Sequence, residues 1–582
     1  MVRTAWHHAG ELRHRMVWIY ILFFLANVIV AFQPVVLAEI INVAQRGGPE
    51  AMHDALWWSG AYAGLSLGFW LLHGPARVIE RRLAFVIFSN FTQSLYRKVT
   101  EMPFRWHQDH HSGDTINRVN KAGRGLYHFS GGQFVIIQSC VRLVISLGML
   151  FFYSWWVALT AMTVSLAVFL IIRRFDKVLI PLVRKTNERE HHLNAALFDY
   201  IGNIVTVLTL RLQGSTAVEI ENRFAAMKIP LWRETLVNEG KWWAANFLLV
   251  FSQGAIVGAY VAAHLWTNEA LALGSVVAIF QYLHMISQLF FSGMITYEEL
   301  MYRHIDTRGV DGLLADHAKL AGTQALQSGS VWRDIRIENL TFTHQEGEEA
   351  LHTLSHVNLG IKAGQKIALI GESGSGKTTL LTLMRGLYQA QQVQLAIDGR
   401  THDSLAPLAS FTTLIPQDSE IFENTIFYNL TLGTDVPDKV VKQALAITTF
   451  DDVVAKLPQG IWTDIRERGI NLSGGQKQRL ALARGLIAAR DVSLLLLDEP
   501  TSSVDLATES VIFDRMFAAF ADKAVIASIH RLHLLPRFDY IGFMQDGAMV
   551  EQGMFPELLA KRGAFYALWQ QHLAQTGGKN EA

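Results

Sequence analysis

Cysteine is nearly absent from this 582-residue chain. The single thiol, Cys140, excludes an intrachain disulfide and any cysteine-based metal cluster. Its expected place is in helix packing, where a free cysteine behaves as a small hydrophobe. Charge is also scarce. Only 18% of residues are Asp, Glu, Lys or Arg against 50% apolar ones, a balance that points to a membrane portion. Net charge is absent too, since 51 basic residues meet 51 acidic ones. No global field favours nucleic acid, and no nucleic-acid partner is expected. Neither a long coiled-coil insertion nor a peptidase-like segment ahead of the first apolar run is recognisable, so cleavage of a leader peptide is not indicated. The length exceeds one ordinary core and requires at least two domains.

Long apolar runs are present instead. Six of them, near 16–40, 55–76, 133–152, 155–172, 243–266 and 271–295, approach the roughly 20 residues that cross a bilayer. The first follows Arg3, Arg13 and Arg15, is longer than a signal-peptide core and lacks a small-residue cleavage site. It reads as a retained anchor. Tyr153-Ser154, followed by Trp155-Trp156, reads as a turn at the membrane interface. Basic residues alternate from loop to loop. Arg77, Arg81, Arg82, Arg97, Lys98, Arg105 and Arg118 follow the second run, and Arg173, Arg174, Lys177, Arg184 and Lys185 follow the fourth, whereas the opposite loops carry little beyond Arg46. This bias places both termini and the C-terminal domain in the cytosol. The expectation is a multi-pass integral membrane protein in a bacterial inner (plasma) membrane. The two inner connections keep apolar residues at helical spacing, as in Leu83, Val86, Ile87 and Phe91, so helices should extend far into the cytosol. Their tips are expected around 112–118 and 200–203, and Gln33-Pro34 marks a kink in the first run.

The fold class expected is therefore an N-terminal six-helix all-α transmembrane domain (1–308), a glycine-containing linker (309–330), an α/β domain (331–575) and a polar tail (576–582). Short β-rich runs such as Lys366–Ile370, Leu494–Leu497 and Ala524–Ala527 alternate with helical patterns, which indicates a largely parallel sheet. Gly371-Glu372-Ser373-Gly374-Ser375-Gly376-Lys377-Thr378 follows the first of them and opens a helix at Thr379. It matches G-x-x-x-x-G-K-[ST], whose glycines let backbone N–H groups turn toward phosphate oxygens while the helix N-terminus adds positive potential. Lys377 then reaches the β- and γ-phosphates of ATP, and the Thr378 hydroxyl ligates Mg²⁺. Leu494-Leu495-Leu496-Leu497-Asp498-Glu499 is an apolar strand ending in two carboxylates, one suited to the Mg²⁺ shell and one to polarising water.

Between these elements lie Pro416-Gln417-Asp418 and Asn471-Leu472-Ser473-Gly474-Gly475-Gln476-Lys477-Gln478-Arg479, which contains LSGGQ. Ser502-Ser503-Val504-Asp505 and His530-Arg531 follow. Together these motifs resemble the ATP-binding cassette (ABC) ATPases. With six spans ahead of the cassette, the whole chain resembles the exporter-type ABC half-transporters. The resemblance implies that Ser473, Gly474, Gly475 and Gln476 cap the nucleotide held by a second subunit. It implies Glu499 as general base, Gln417 as a sensor beside Mg²⁺, His530 as the γ-phosphate contact and Asp505 on the loop crossing the dimer seam. The family usually carries an aromatic residue stacking on adenine; here His344 stands at that place, as adenine contact or as an ordinary surface histidine. Arg466-Glu467-Arg468-Gly469 resembles the cassette segment that faces the inner-loop tips.

Polar residues within the spans are costly in lipid. Gln281, His284 and Gln288 share one helix face, as do Gln138, Arg142 and Ser146. Both stripes fit either a substrate pathway or hydrogen bonding between helices, and Arg142 would suit an anionic group on the cargo. The function expected is ATP-driven transport, export of an amphipathic small molecule, peptide or lipid-like substrate by alternating access. A lipid flippase, an exporter-fold importer and an ATP-gated regulator share the same architecture. Because Lys377, LSGGQ and Glu499 stand in one chain, the partner expected is a second copy of it, with a heterodimer left open.

Overall fold

The computed structural model describes residues 1–110, 112–268, 270–320, 332–346, 349–417, 420–465 and 472–575. They form two compact units, one of Met1–Glu101 with Ser112–Lys319, the other of Met102–His111 with Leu320–Ala582.

The first unit is all-helical. Its long elements are α1 (Arg13–Ala31), α2 (Gln33–Arg46), α3 (Ala51–Thr100), α5 (Ser112–Ser130), α6 (Gln133–Tyr153), α7 (Trp155–Gly202), α8 (Gln213–Thr267) and α9 (Leu273–Arg308); the short α4 (Phe104–Asp109), between α3 and α5 in sequence, belongs to the second unit. At 48 to 55 residues, α3, α7 and α8 are about 70–80 Å long, well beyond bilayer thickness. The expected extensions are real helices. Proline acts as expected at Gln33-Pro34: α1 stops at Ala31, Phe32 turns, and Pro34 sits in the first turn of α2, where its missing N–H costs nothing.

Five helical stretches among the described residues are long and apolar enough to cross a membrane, namely Gly10–Arg46, Ser112–Tyr153, Trp155–Gly202, Gln213–Thr267 and Leu273–Lys319. The run expected at 55–76 lies in α3, which is not among them. Trp57, Trp58, Tyr62, Trp70, His73 and the glycines at 60, 64, 68 and 74 lower its apolarity. Large apolar side chains including Trp57, Leu67 and Trp70 are nonetheless exposed along it, as on a lipid-facing surface. Two packing centres hold the unit together. One joins Ile19 and Phe23 of α1 to Ile87 of α3 and Leu126 of α5. The other joins Leu150 of α6, Val157 of α7, Ile256 of α8 and Ile279 of α9.

The inner-loop tips differ in part from expectation. Residues 112–118 open α5, and the chain reverses earlier, through Met102-Pro103 and α4. Pro103 supplies the break, with φ −59° and no N–H to continue a helix. The tip at 200–203 ends α7 as expected and is followed by a short helix, Ile204–Thr209. Within the stretch read as linker, Asp311–Lys319 is helical; its Leu313 is buried, as is Val310 just ahead of it. Residues 321–331 and 576–582 lie outside the described residues, as do Asp418, Asn471 and the segment 466–469.

The second unit is α/β. Its strands are β1 (Asp334–Glu346), β2 (Glu349–Lys362), β3 (Lys366–Ile370), β4 (Gln392–Ile397), β5 (Arg400–His402), β6 (Thr412–Ile415), β7 (Leu494–Asp498), β8 (Ala524–Ser528), β9 (Tyr540–Gln545) and β10 (Ala548–Gly553). One sheet runs β10-β9-β3-β8-β7-β6; all its pairings are parallel except the edge pair β9–β10. A separate antiparallel sheet, β2-β1-β4-β5, was not anticipated from sequence. Strand periodicity explains the layering. Ile367, Leu369, Leu494 and Leu496 point into the core shared with the antiparallel sheet, while Ala368, Ile370, Leu495 and Leu497 point to the opposite core. Both faces are covered, so these strands are apolar throughout. The helices that carry the site are α10 (Lys377–Met384), α11 (Gly474–Ala488) and α12 (Leu506–Ala519).

Candidate active site

Four neighbouring parallel strands, β3, β8, β7 and β6, end at the same edge of the sheet, and a motif residue stands within two positions of each strand end: Gly371, His530, Glu499 and Gln417. Ligands in open parallel sheets bind at this carboxyl edge. After β3 comes the loop 371–376. Gly371 has φ +150° and Gly376 φ +99°, and a Cβ at Gly371 would meet the Met544 carbonyl oxygen at 2.2 Å. Only glycine fits there. Glu372, Ser373 and Gly374 are exposed while Ser375 and Lys377 are buried, so the loop presents one open face. Lys377 Nζ donates to the carbonyls of Gly371 (2.8 Å) and Glu372 (2.9 Å). Burial lowers the Lys377 pKa, opposed by the charges of Glu499 and Asp498.

Thr378 Oγ1 donates to Asp498 Oδ1 at 3.1 Å, so the two expected Mg²⁺ ligands are neighbours. Burial raises the Asp498 pKa, with the Thr378 bond pulling it down and Glu499 pushing it up. No group of three His, Cys, Asp or Glu side chains suited to a metal occurs among the described residues. A hydroxyl, one carboxylate and the Gln417 carboxamide are nonetheless hard oxygen donors, which fits Mg²⁺ completed by phosphate and water.

Glu499 is held from two sides. Gln417 Nε2, past the end of β6, donates to Oε2 at 3.1 Å, and His530 Nε2, past the end of β8, lies 2.5 Å from Oε1. Glu499 itself has φ +45°, a left-handed conformation ahead of Pro500, where a non-glycine residue is strained. Thus the expected general base, the expected Mg²⁺ sensor and the expected γ-phosphate contact converge.

Ser473 caps α11 in a reciprocal arrangement. Its hydroxyl accepts from Gln476 N at 3.3 Å, and Gln476 Oε1 accepts from Ser473 N at 2.9 Å. Ser473 and Gly474 are exposed at the positive end of a 15-residue helix. A Cβ on Gly475 would meet the Ser503 carbonyl oxygen at 2.7 Å, so this glycine also permits close packing within the chain. Asp505 caps α12 through Thr508 N at 2.9 Å, and that hydrogen bond is the main cause of its lowered pKa. His344 lies in β1, edge-on to Phe342 (4.8 Å) and Tyr388 (5.0 Å). Thr379 stands third in α10, next to Thr378.

Several positioning residues escaped the sequence reading. Gln478 Nε2 donates to the Glu499 carbonyl and to Ser502 Oγ, both at 3.0 Å, and its Oε1 accepts from Ser503 N at 2.8 Å. One side chain therefore fastens the LSGGQ helix to the loop behind Glu499. Arg531 donates to the Ser502 and Val504 carbonyls and pairs with buried Glu509 at 3.1 Å. The adjacency of Gln478 to LSGGQ and of Arg531 to His530 was the available signal.

In the membrane unit, Arg142 Nε donates to Asn27 Oδ1 at 3.1 Å and buried Ser146 donates to Met285 Sδ at 3.2 Å. Their stripe, with Gln138 half-buried, meets neighbouring helices. On α9, Gln281 is half-buried, whereas His284 and Gln288 are exposed and 3.4 Å apart. Cys140, expected to be packed, is exposed.

Comparison with known proteins matches residues 16–290 to the ABC transporter transmembrane region and residues 354–502 to the ABC transporter model. ATP-binding cassette sub-family B member 6 of Mesocricetus auratus is 28% identical over 504 residues, 82% of this chain; the chain spans about half of that relative's length (56%). A Staphylococcus aureus ATP-binding/permease protein is 27% identical over 488 residues, 83% of each chain. A bacterial Atm1-family ABC exporter, solved with ATP bound, superposes with TM-score 0.81 at 22% identity, covering 98% of this chain and all of that one. The fold is thus the ABC exporter fold, and the apolar helices together with the transmembrane match make this an integral membrane protein with an ATP-binding cassette. Two models in the order membrane region then cassette, and a site assembled from that cassette's motifs, establish that the chain belongs to the ABC transporter family.

Proposed function

We propose that this chain is one half of an ATP-driven transporter that hydrolyses ATP to ADP and phosphate between two copies of itself and moves an amphipathic cargo outward. The observation that carries the reading is the division of the site. Glu499, Gln417 and His530 converge at one sheet edge, while Ser473 and Gly474 stand exposed on a separate helix N-terminus. The open loop face 372–374 binds phosphate in one copy, and the exposed α11 terminus of the other copy covers it. Glu499 accepts the proton of the attacking water, and Gln417 and His530 fix the orientation of its carboxylate. The Lys377 ammonium and the loop N–H groups offset charge on the phosphates. Thr378, Asp498 and Gln417 are the residues that would hold Mg²⁺, whose chemistry is to neutralise phosphate oxygens. His344 offers a ring to adenine.

An intact set of Lys377, LSGGQ and Glu499 in one chain supports a homodimer with two competent sites. The basic inner loops support a plasma-membrane location with cytosolic termini and cassette. The exposed His284 and Gln288, with Gln281 on the same face, support a pathway along α9; Gln138 and Arg142 would serve it only by leaving their helix contacts. The Staphylococcus aureus relative is named for multidrug export, which agrees with an amphipathic cargo. Mixing Lys377→Ala chains with Ser473→Ala chains tests the shared site. Each variant alone is expected to be inactive, and mixed dimers to regain activity through one intact composite site. Full turnover by an isolated monomer, or by Ser473→Ala alone, overturns the reading.

A further inference from the structure

Residues of α6, α7, α8 and α9 line an open cavity of about 570 Å³ in the membrane unit, within the roughly 300–1,000 Å³ of small-molecule sites. Its wall is apolar, with Leu143, Phe169, Ile172, Ile180, Leu289 and Phe290. One stretch of that wall is charged. Arg173, Asp176, Lys177 and Lys241 line it. Lys241 is buried and pairs with Asp176 at 3.6 Å, so the cavity's one acid is already committed to a cation. Arg173 lies over the Phe169 ring at 5.7 Å, and among the described residues neither Arg173 nor Lys177 makes an ion pair. They stand four residues apart on one helix face, just past the apolar run that ends at residue 172.

Charge and shape therefore agree on one ligand chemistry. Arg173 and Lys177 are exposed, and two uncompensated cations beside an apolar chamber attract an anion through charge-assisted hydrogen bonds. The apolar wall gives nothing to a bare ion but stabilises an alkyl or ring system by its buried area. A cationic head meets like charges instead, and a zwitterion brings its own. We propose that this cavity binds an anionic amphiphile, with a phosphate or carboxylate head at Arg173 and Lys177 and an apolar tail between Phe169 and Phe290. The site names the cargo class of the transport function and rests on that reading; binding itself needs no ATP. The ligand comes from the bilayer as an anionic lipid or arrives as a free single-chain amphiphile.

Cys140, the chain's one thiol, is exposed and lines the same cavity, which supplies a reporter. The full-length protein in phosphatidylcholine nanodiscs is treated with a water-soluble maleimide, with hexadecyl phosphate, hexadecylphosphocholine or hexadecyltrimethylammonium added. Hexadecyl phosphate at ten times its dissociation constant slows labelling about tenfold, and the other two heads do not. Arg173→Gln/Lys177→Gln loses the protection, and native mass spectrometry shows the hexadecyl phosphate adduct lost from the same variant. Protection by phosphatidylglycerol placed in the discs identifies the bilayer as a source; protection by hexadecyl phosphate alone identifies a free amphiphile. Equal protection by all three heads, or an adduct that survives the double substitution, overturns the proposal. Lys377→Ala separates the two readings, since it removes ATPase activity and leaves protection intact.

Discussion

The cassette site and the membrane pathway solve recognition in opposite ways. In the cassette, four consecutive strand ends deliver chemistry to one edge, and each group is fixed by a short bond: Thr378 to Asp498, Gln417 and His530 to Glu499, Gln478 to the loop behind them. In the membrane unit, polar groups are few and far apart, and several are spent on helix contacts, as Arg142 is on Asn27. What stays open there is the exposed pair His284 and Gln288 on α9 and a chamber whose lining includes Arg173 and Lys177. Fixed donors suit a ligand of one chemistry, a nucleotide. A greasy chamber with a charged rim suits a class of ligands that share only polarity.

The contrast breaks first at Glu499. Glu499→Gln is expected to lower phosphate release about 10²–10⁴-fold while nucleotide stays bound; retained turnover would show that the tight cassette geometry is not catalytic. Gly475→Ala follows, because the added methyl meets the Ser503 carbonyl oxygen. Overpacking of this kind costs about 1–3 kcal/mol, visible as a lower melting temperature of the cassette transition and reduced ATPase.

Asp498 sharpens the comparison through pH. Its pKa is raised by burial, so the folded chain binds this proton more readily than the unfolded chain does. Stability from this group therefore rises as pH falls through the raised value and is lower above it, where the carboxylate is charged. Asp498→Asn is expected to melt higher at neutral pH, with no gain at low pH, and to have lost ATPase activity. A lower melting point at neutral pH would contradict the burial argument. His344→Ala is expected to weaken ATP binding less than about tenfold, the scale of one ring contact, and unchanged affinity would leave His344 as part of the Phe342–Tyr388 cluster only. Smallest of all, Arg142→Ala is expected to leave basal ATPase unaltered. Loss of cargo-stimulated ATPase in that variant would make Arg142 a pathway residue and bring the two regions closer in design.

Legibility in the sequence followed the range of the interactions. The phosphate loop and the carboxylate-ended strand were readable because strand, turn and helix are contiguous, and glycine, lysine and aspartate have few other reasons to stand in that order. Long helices were readable from apolar spacing carried past the bilayer. The antiparallel sheet was not, since β1 and β2 contain register shifts that disturb alternation, and β4 pairs with β1 across an intervening phosphate loop. Gln478 and Arg531 were named inside motifs, yet their bonds reach 21 to 29 residues away to the Glu499–Val504 loop. Arg173 and Lys177 show a subtler failure. The positive-inside bias explained them fully, and only the enclosing helices reveal that they also border a cavity.

The left-handed backbone of Glu499 sets two selections against each other at a single codon. Glycine removes the conformational cost, and asparagine or aspartate reduces it, so in a library of all residues at 499 these would be the most abundant chains in the membrane. None of them places a carboxylate at the reach of glutamate. If Glu499 is the base proposed above, abundance and turnover would rank the same alleles in nearly reverse order, and a fitness map scored by expression alone would mark that proposed base as the residue most in need of replacement.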